Sequence, residues 1–145
     1  MRAITIALAL CTRIAWAGGV APEIEKALDA AQYVYIQSER ASGTLGAPAE
    51  IWFYVEEGAV YVGTRPTSWR VRRIKAGRTR ARIAVGKADG PAFAATGALV
   101  KDGALASRLM DDFAHKYSEG WKRHEKGFRE GFVSGDRVLV RYRPK

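Results

Sequence analysis

The sequence predicts an α+β domain, a small antiparallel β-sheet or barrel with flanking helices. Three observations carry this expectation. The chain has 145 residues, enough for one domain with its own hydrophobic core. Residues 49 to 64 form two alternating runs around Glu57-Gly58, the pattern of a β-hairpin. Along the whole chain, helical and strand periodicities follow in a fixed order: a helix, four or five strands with a short helix inserted, a longer helix and a last strand.

The first seventeen residues, MRAITIALALCTRIAWA, have a short basic start, an apolar run from Ala3 to Cys11, and Ala15-Trp16-Ala17 before Gly18-Gly19. This is the layout of a secretory signal peptide, so residues 1–17 are expected to be removed on export to the periplasm or medium. Residues 18–145 are then expected to form a single domain. The alternative is an amphipathic N-terminal helix on a cytoplasmic protein. The apolar run is too short to span a bilayer, so no membrane anchor is expected. Cys11 is the one cysteine, and cleavage after Ala17 leaves none, which excludes disulfides, thiolate metal sites and a cysteine nucleophile.

Pro22 followed by EIEKALDAA predicts a helix from about Pro22 to Ala31, with acidic residues at its start and Ile24 and Leu28 on one face. YVYIQSE, residues 33 to 39, has the β-branched and aromatic alternation of a strand. In AEIWFYVE, residues 49 to 56, Ile51, Phe53 and Val55 fall on one face and Trp52 and Tyr54 on the other, and AVYVGT, residues 59 to 64, is the return strand. Aromatic residues on both faces fit a sheet covered on both sides. Ser68 is placed to cap a short helix that Gly77 closes, and RTRARIAVG then continues as a strand with Ala81, Ile83 and Val85 on one face and Arg80 and Arg82 on the other. PAFAATGALVK reads as a further strand. Asp102 caps a helix whose Leu105, Leu109, Phe113 and Tyr117 recur every four residues, and GDRVLVRYRP closes the chain as a strand.

The formal charge of +9 comes from 24 basic and 15 acidic residues, and eight of the basic residues lie in the eighteen-residue stretch RPTSWRVRRIKAGRTRAR, residues 65 to 82, which has no acid. The excess charge is local, so it points to a patch that attracts an anion: a phosphate ester, nucleic acid or anionic lipid. Within GTRPTSWRVRR, a strand end feeding a helix start brings Thr64, Ser68 and several guanidinium groups together, a set suited to a phosphate; the bland alternative is a solvated basic helix. Trp69 is either a core plug or a ring against a ligand. His115 and His124 lack the spacing of a metal pair, Asp111 and Asp112 diverge on a helix, and no nucleophile elbow, phosphate loop or dinucleotide fingerprint occurs. Any redox chemistry would therefore come from a cofactor.

The phrases IWFYVEEGAVYVGT, TSWRVRRIKAGRTRARIAV, KYSEGW and VLVRYRP, in this order, resemble the FMN-binding split-barrel superfamily, which includes pyridoxamine-phosphate-oxidase-like and deazaflavin-dependent nitroreductase-like proteins. Within it the chain is most similar to the bacterial domain of unknown function family 2255. The resemblance runs from about Tyr33 to Pro144 and implies a split β-barrel, an FMN or deazaflavin cofactor and a homodimer. Thr64, Ser68 and Arg70 match the family's phosphate-gripping segment, with Arg70 where lysine is common, and Arg65, Trp69 and Arg73 stand beside them. Trp52 matches the aromatic of a characteristic strand. The implied function is an exported flavin- or deazaflavin-dependent oxidoreductase acting with a phosphate-bearing small molecule. The alternatives are a non-catalytic split barrel that binds another anion or a protein partner, and a basic β-barrel that binds nucleic acid, which export disfavours.

Overall fold

A computed structural model describes residues 19–145; Cys11 and the signal-like segment lie outside the described residues. Four helices and seven strands follow in the order α1 (Pro22–Ala30), β1 (Val34–Ser38), β2 (Ala49–Ile51), β3 (Tyr54–Glu56), β4 (Ala59–Thr64), α2 (Trp69–Lys75), β5 (Arg80–Val85), β6 (Ala92–Val100), α3 (Gly103–Lys116), α4 (Ser118–Ser134) and β7 (Val138–Pro144). The strands make one antiparallel seven-stranded sheet in the order β2-β1-β5-β6-β7-β4-β3.

The two edge strands are halves of one expected strand. AEIWFYVE breaks at Trp52-Phe53, so that Ala49–Ile51 pairs with β1 and Tyr54–Glu56 pairs with β4 at the opposite edge. The chain thus crosses from one edge of the curled sheet to the other within two residues, and the barrel is closed by chain continuity rather than by a ladder. The hairpin from Tyr54 to Tyr61 forms as expected, turning at Glu57 (φ 48°) and Gly58 (φ 72°).

A break in a ladder leaves backbone groups without partners, and a buried unpaired amide costs about 1–3 kcal/mol. Tyr117, at the end of α3, meets this need. Its hydroxyl accepts the Phe53 N–H at 2.9 Å, and the carbonyls of Phe53 and Gln32 both lie 2.9 Å from the same oxygen. Lys116 adds a 3.1 Å bond from its Nζ to the Phe53 carbonyl and lies 3.3 Å from the Phe53 ring centroid.

Burial pushes the Lys116 ammonium down to about 8 from its ordinary 10.5, opposed by Asp29. Between these values the unfolded chain holds the proton more tightly than the folded one, so this group's contribution to stability rises with pH across that window. Burial holds the hydroxyls of Tyr117 and Tyr142 above their ordinary range, which favours unfolding only above pH 10. The wild-type urea midpoint should therefore gain between pH 7 and pH 9 relative to Lys116→Met; identical pH dependence in the two proteins would show that the amine is not desolvated.

Sheet alternation sorts the core into two clusters. Val34, Ile36, Phe53, Val60, Val62, Ile83, Ala95, Val140 and Tyr142 face inward with Leu28 of α1 and Val71 of α2. On the outer face, Ala59, Tyr61 and Leu139 are covered by α3 and α4 through Leu109, Met110, Phe113, Tyr117 and Trp121. Asp102 caps α3 by accepting the Leu105 N–H at 2.9 Å. α4 is a second helix beyond the expected longer one: Trp121, Phe128 and Phe132 share its sheet-facing side, at a spacing that was readable in the sequence. The helix hairpin covers only part of the outer face. Beyond it on the same face, Arg80, Ala94, Thr96 and Arg143 are exposed among the described residues, with Arg82 half-buried beside them.

Candidate anion-binding site

β4 ends at Thr64, and the chain turns through Arg65, Pro66 and Thr67, with the Ser68 N–H bonded to the Arg65 carbonyl at 3.1 Å. Ser68 takes the N-cap position of α2 as expected, but its hydroxyl makes no capping bond. At the other end Gly77 (φ 82°) closes the helix, with the Arg78 N–H on the Arg73 carbonyl and the Gly77 N–H on the Ile74 carbonyl, both 2.9 Å. Val71 and Ile74 turn this helix toward the inner core. Arg70 adjoins Val71 and is carried inward with it, while Arg72 and Lys75 stay exposed.

A concavity of about 510 Å³ lies between α2, the end of β1 and the segment before β2, and Ser38, Arg40, Ser68, Trp69, Arg70 and Arg73 line it. Arg70 is only 8 % exposed, and its Nη1 has no hydrogen-bond partner. The buried Ser68 Oγ also has none, nor does the Tyr142 hydroxyl. Burial lowers the Arg70 pKa, and the nearby Tyr142 phenol raises it; burial pushes Tyr142 up to about 12, with the Arg70 charge pulling the other way. A guanidinium remains charged under all ordinary conditions. A buried cation without a carboxylate is costly, so an anion entering this concavity would meet donors already desolvated.

Arg73 is fixed differently. Its Nη1 donates to the Ser38 carbonyl at 3.0 Å, beside Gly46, where a Cβ would stand 2.6 Å from that nitrogen. Trp69 is not a core plug: it is 68 % exposed, with the guanidinium carbons of Arg72 and Arg73 at 5.4 and 5.5 Å from the ring. This gives the rim of the concavity an aromatic ring with two cations against it.

Of the residues singled out in the sequence, Ser68, Trp69, Arg70 and Arg73 come together. Thr64 is half-buried opposite Val138, and Arg65 lines a different hollow with Thr67, Gly131 and Arg137. Trp52 lies on the outer face, stacked on Tyr117 at 4.5 Å and 9°, in a hollow that none of the four lines. Ser38, Arg40 and Tyr142 were not foreseen as site residues. Ser38 ends β1 and Arg40 lies in the loop just after it, both brought in by the pairing of β1 with β5, and Tyr142 read only as a position in the last strand. Among the described residues, no group of His, Cys, Asp and Glu is placed to hold a metal ion.

The architecture is the split barrel, in which one curled antiparallel sheet is closed by a chain crossing and backed by helices. Solved structures share it. The chain is similar to a candidate pyridoxamine 5'-phosphate oxidase of Listeria innocua, with a TM-score of 0.61 at 12 % identity over 85 % of this chain and 91 % of the other. It is also similar to the heme storage protein HutZ of Vibrio cholerae, with 0.60 at 15 % over 86 % and 89 %. An F420 reductase matches with 0.58 at 21 % over 83 % and 92 %. No protein-family model matches the chain, so the narrower likeness to family 2255 finds no support there, and no curated protein matches it either.

Proposed function

We propose that the concavity beneath α2 binds the phosphate of a flavin or deazaflavin cofactor, and that the protein is an exported oxidoreductase of the split-barrel type. The observation that carries this reading is the set of buried donors without partners, Ser68 Oγ and Arg70 Nη1, at a concavity whose remaining charged residues, Arg40 and Arg73, are also cationic. Ser68 and Arg70 would donate to the phosphate, Arg73 would add charge from its fixed position, and Trp69 would offer its exposed ring to the planar part of the ligand. The cofactor, when bound, supplies the hydride or electron chemistry. The protein supplies position and a desolvated cationic site.

α2 has only seven residues, so the reading rests on side chains and not on a helix dipole. The likeness in fold to an F420 reductase and to a candidate pyridoxamine 5'-phosphate oxidase is consistent with it. A homodimer completes the reading, its second copy placed on the exposed sheet face around Ala94 and Thr96, where Arg143 would meet acidic residues of that copy. No helix among the described residues is long and apolar enough to cross a membrane.

The protein isolated from its natural compartment should show flavin or deazaflavin absorbance, begin at Gly18, and scatter light with twice the mass of one chain. A colourless protein that refuses both cofactors, yet still binds inorganic phosphate through Arg70, would instead make it a non-catalytic anion binder. Ser68→Ala should weaken binding by roughly tenfold, the worth of one hydrogen bond to a charged group.

A further inference from the structure

A hollow of about 420 Å³ lies between α1, the crossing segment with β3, and α3, and it shares no lining residue with the phosphate concavity. Asp29, Tyr54, Asp112, His115 and Lys116 bring titratable groups to it. We infer that this hollow is a covalent binding site for small, uncharged, apolar aldehydes, held as an imine on Lys116 Nζ.

Asp112 and Lys116 are four residues apart on α3, so one helix face presents both to the hollow. The Lys116 amine donates to the Phe53 carbonyl at 3.1 Å and covers one face of the Phe53 ring at 3.3 Å from its centroid. Phe53 has no exposed surface, and Lys116 is half-buried. Among the described residues Lys116 makes no salt bridge. A desolvated ammonium without a carboxylate partner gives up its proton readily, in keeping with its value of about 8, and the neutral amine is the nucleophile. Losing the proton also removes the cation–ring attraction that holds the amine against Phe53.

The ligand class follows from the walls. Two carboxylates, Asp29 and Asp112, face one ammonium, which disfavours an anion and with it any aldehyde that carries a phosphate or carboxylate. Leu28, Ala31 and Val55 offer apolar surface to a short hydrocarbon chain. The neutral amine adds to the carbonyl carbon, forming a C–N bond while one amine proton passes to the oxygen. The C–O bond then breaks, and the hydroxyl leaves as water with a proton from Asp112 or His115. The second amine proton returns to that group, so the products are an imine and one water, with no change of oxidation state. Burial raises the Asp112 carboxyl above its ordinary value, which suits it to donate that proton.

The test incubates the full wild-type chain with pentanal, or separately with glyoxylate, traps the imine with cyanoborohydride, and locates the secondary amine by peptide mass mapping. With pentanal near neutral pH, Lys116 should be labelled roughly tenfold faster than the exposed Lys122 and Lys126, because more of it is neutral amine. Its labelling rate should rise with a midpoint of about pH 8. Glyoxylate should lose this preference for Lys116, since the two carboxylates repel it. Labelling of Lys116 no faster than of Lys122, a rate that follows that of the exposed lysines at every pH, or the same preference for Lys116 with glyoxylate would overturn the inference.

Discussion

Replacing Arg70 with Met is expected to abolish phosphate-dependent cofactor binding and, at the same time, to leave the protein as hard or harder to unfold. The two effects share one cause. Arg70 is a buried cation with Nη1 unpartnered, so without a ligand it is a net cost to the fold. Exchanging a buried charge for an apolar side chain of similar length is neutral or stabilising by about 1–4 kcal/mol. Removing one member of a buried charged hydrogen-bonded pair costs about 2–5 kcal/mol of binding. That corresponds to an affinity loss of roughly 30-fold or more. Denaturant unfolding of the cofactor-free protein, together with an FMN titration, separates the readings: a purely structural arginine would lose stability, and a binding arginine would lose only the ligand.

Tyr117→Phe should produce the largest loss of stability of any single-atom change in the chain. The phenol oxygen is the acceptor for the Phe53 N–H and lies within 2.9 Å of two carbonyls at the point where the sheet splits. The ring would keep its stacking on Trp52 and Phe113, at 4.5 and 5.6 Å, so packing is conserved and only the hydrogen bonds go. A buried amide left without an acceptor sets the cost at about 1–3 kcal/mol. The urea midpoint should fall with the slope unchanged. A midpoint equal to wild type would mean that water replaces the hydroxyl and that the crossing is not held by Tyr117.

Much of the fold was legible because one face of each strand is buried. The alternation in RTRARIAVG put Ala81, Ile83 and Val85 on one strand face, and that face is the one buried in the inner core. The break at Trp52-Phe53 was not legible, because AEIWFYVE alternates without interruption across it. Only the pairing of its halves with opposite sheet edges, a long-range property, reveals the split. α4 was legible but missed: its glycines and charges obscure a stripe that Trp121, Phe128 and Phe132 make plain.

The site divides along the same line. Ser68, Trp69, Arg70 and Arg73 fall within six residues at the start of one helix, so sequence proximity was enough to group them. Sequence could not show that Arg70 points inward while Arg72 points out, nor that Ser38 and Arg40 complete the concavity. Trp52 illustrates the reverse. Its motif resemblance suggested the cofactor, whereas its position on the outer face puts it against Tyr117 and His124.

The claim that a phosphate is what Ser68 and Arg70 await is tested most directly by titrating the wild-type protein with FMN and with riboflavin, which share the ring and differ in the phosphate. Binding through the buried guanidinium requires FMN to bind at least about 30-fold more tightly, the low end of a buried charged pair. Equal affinity for the two, or tighter binding of riboflavin, would contradict it.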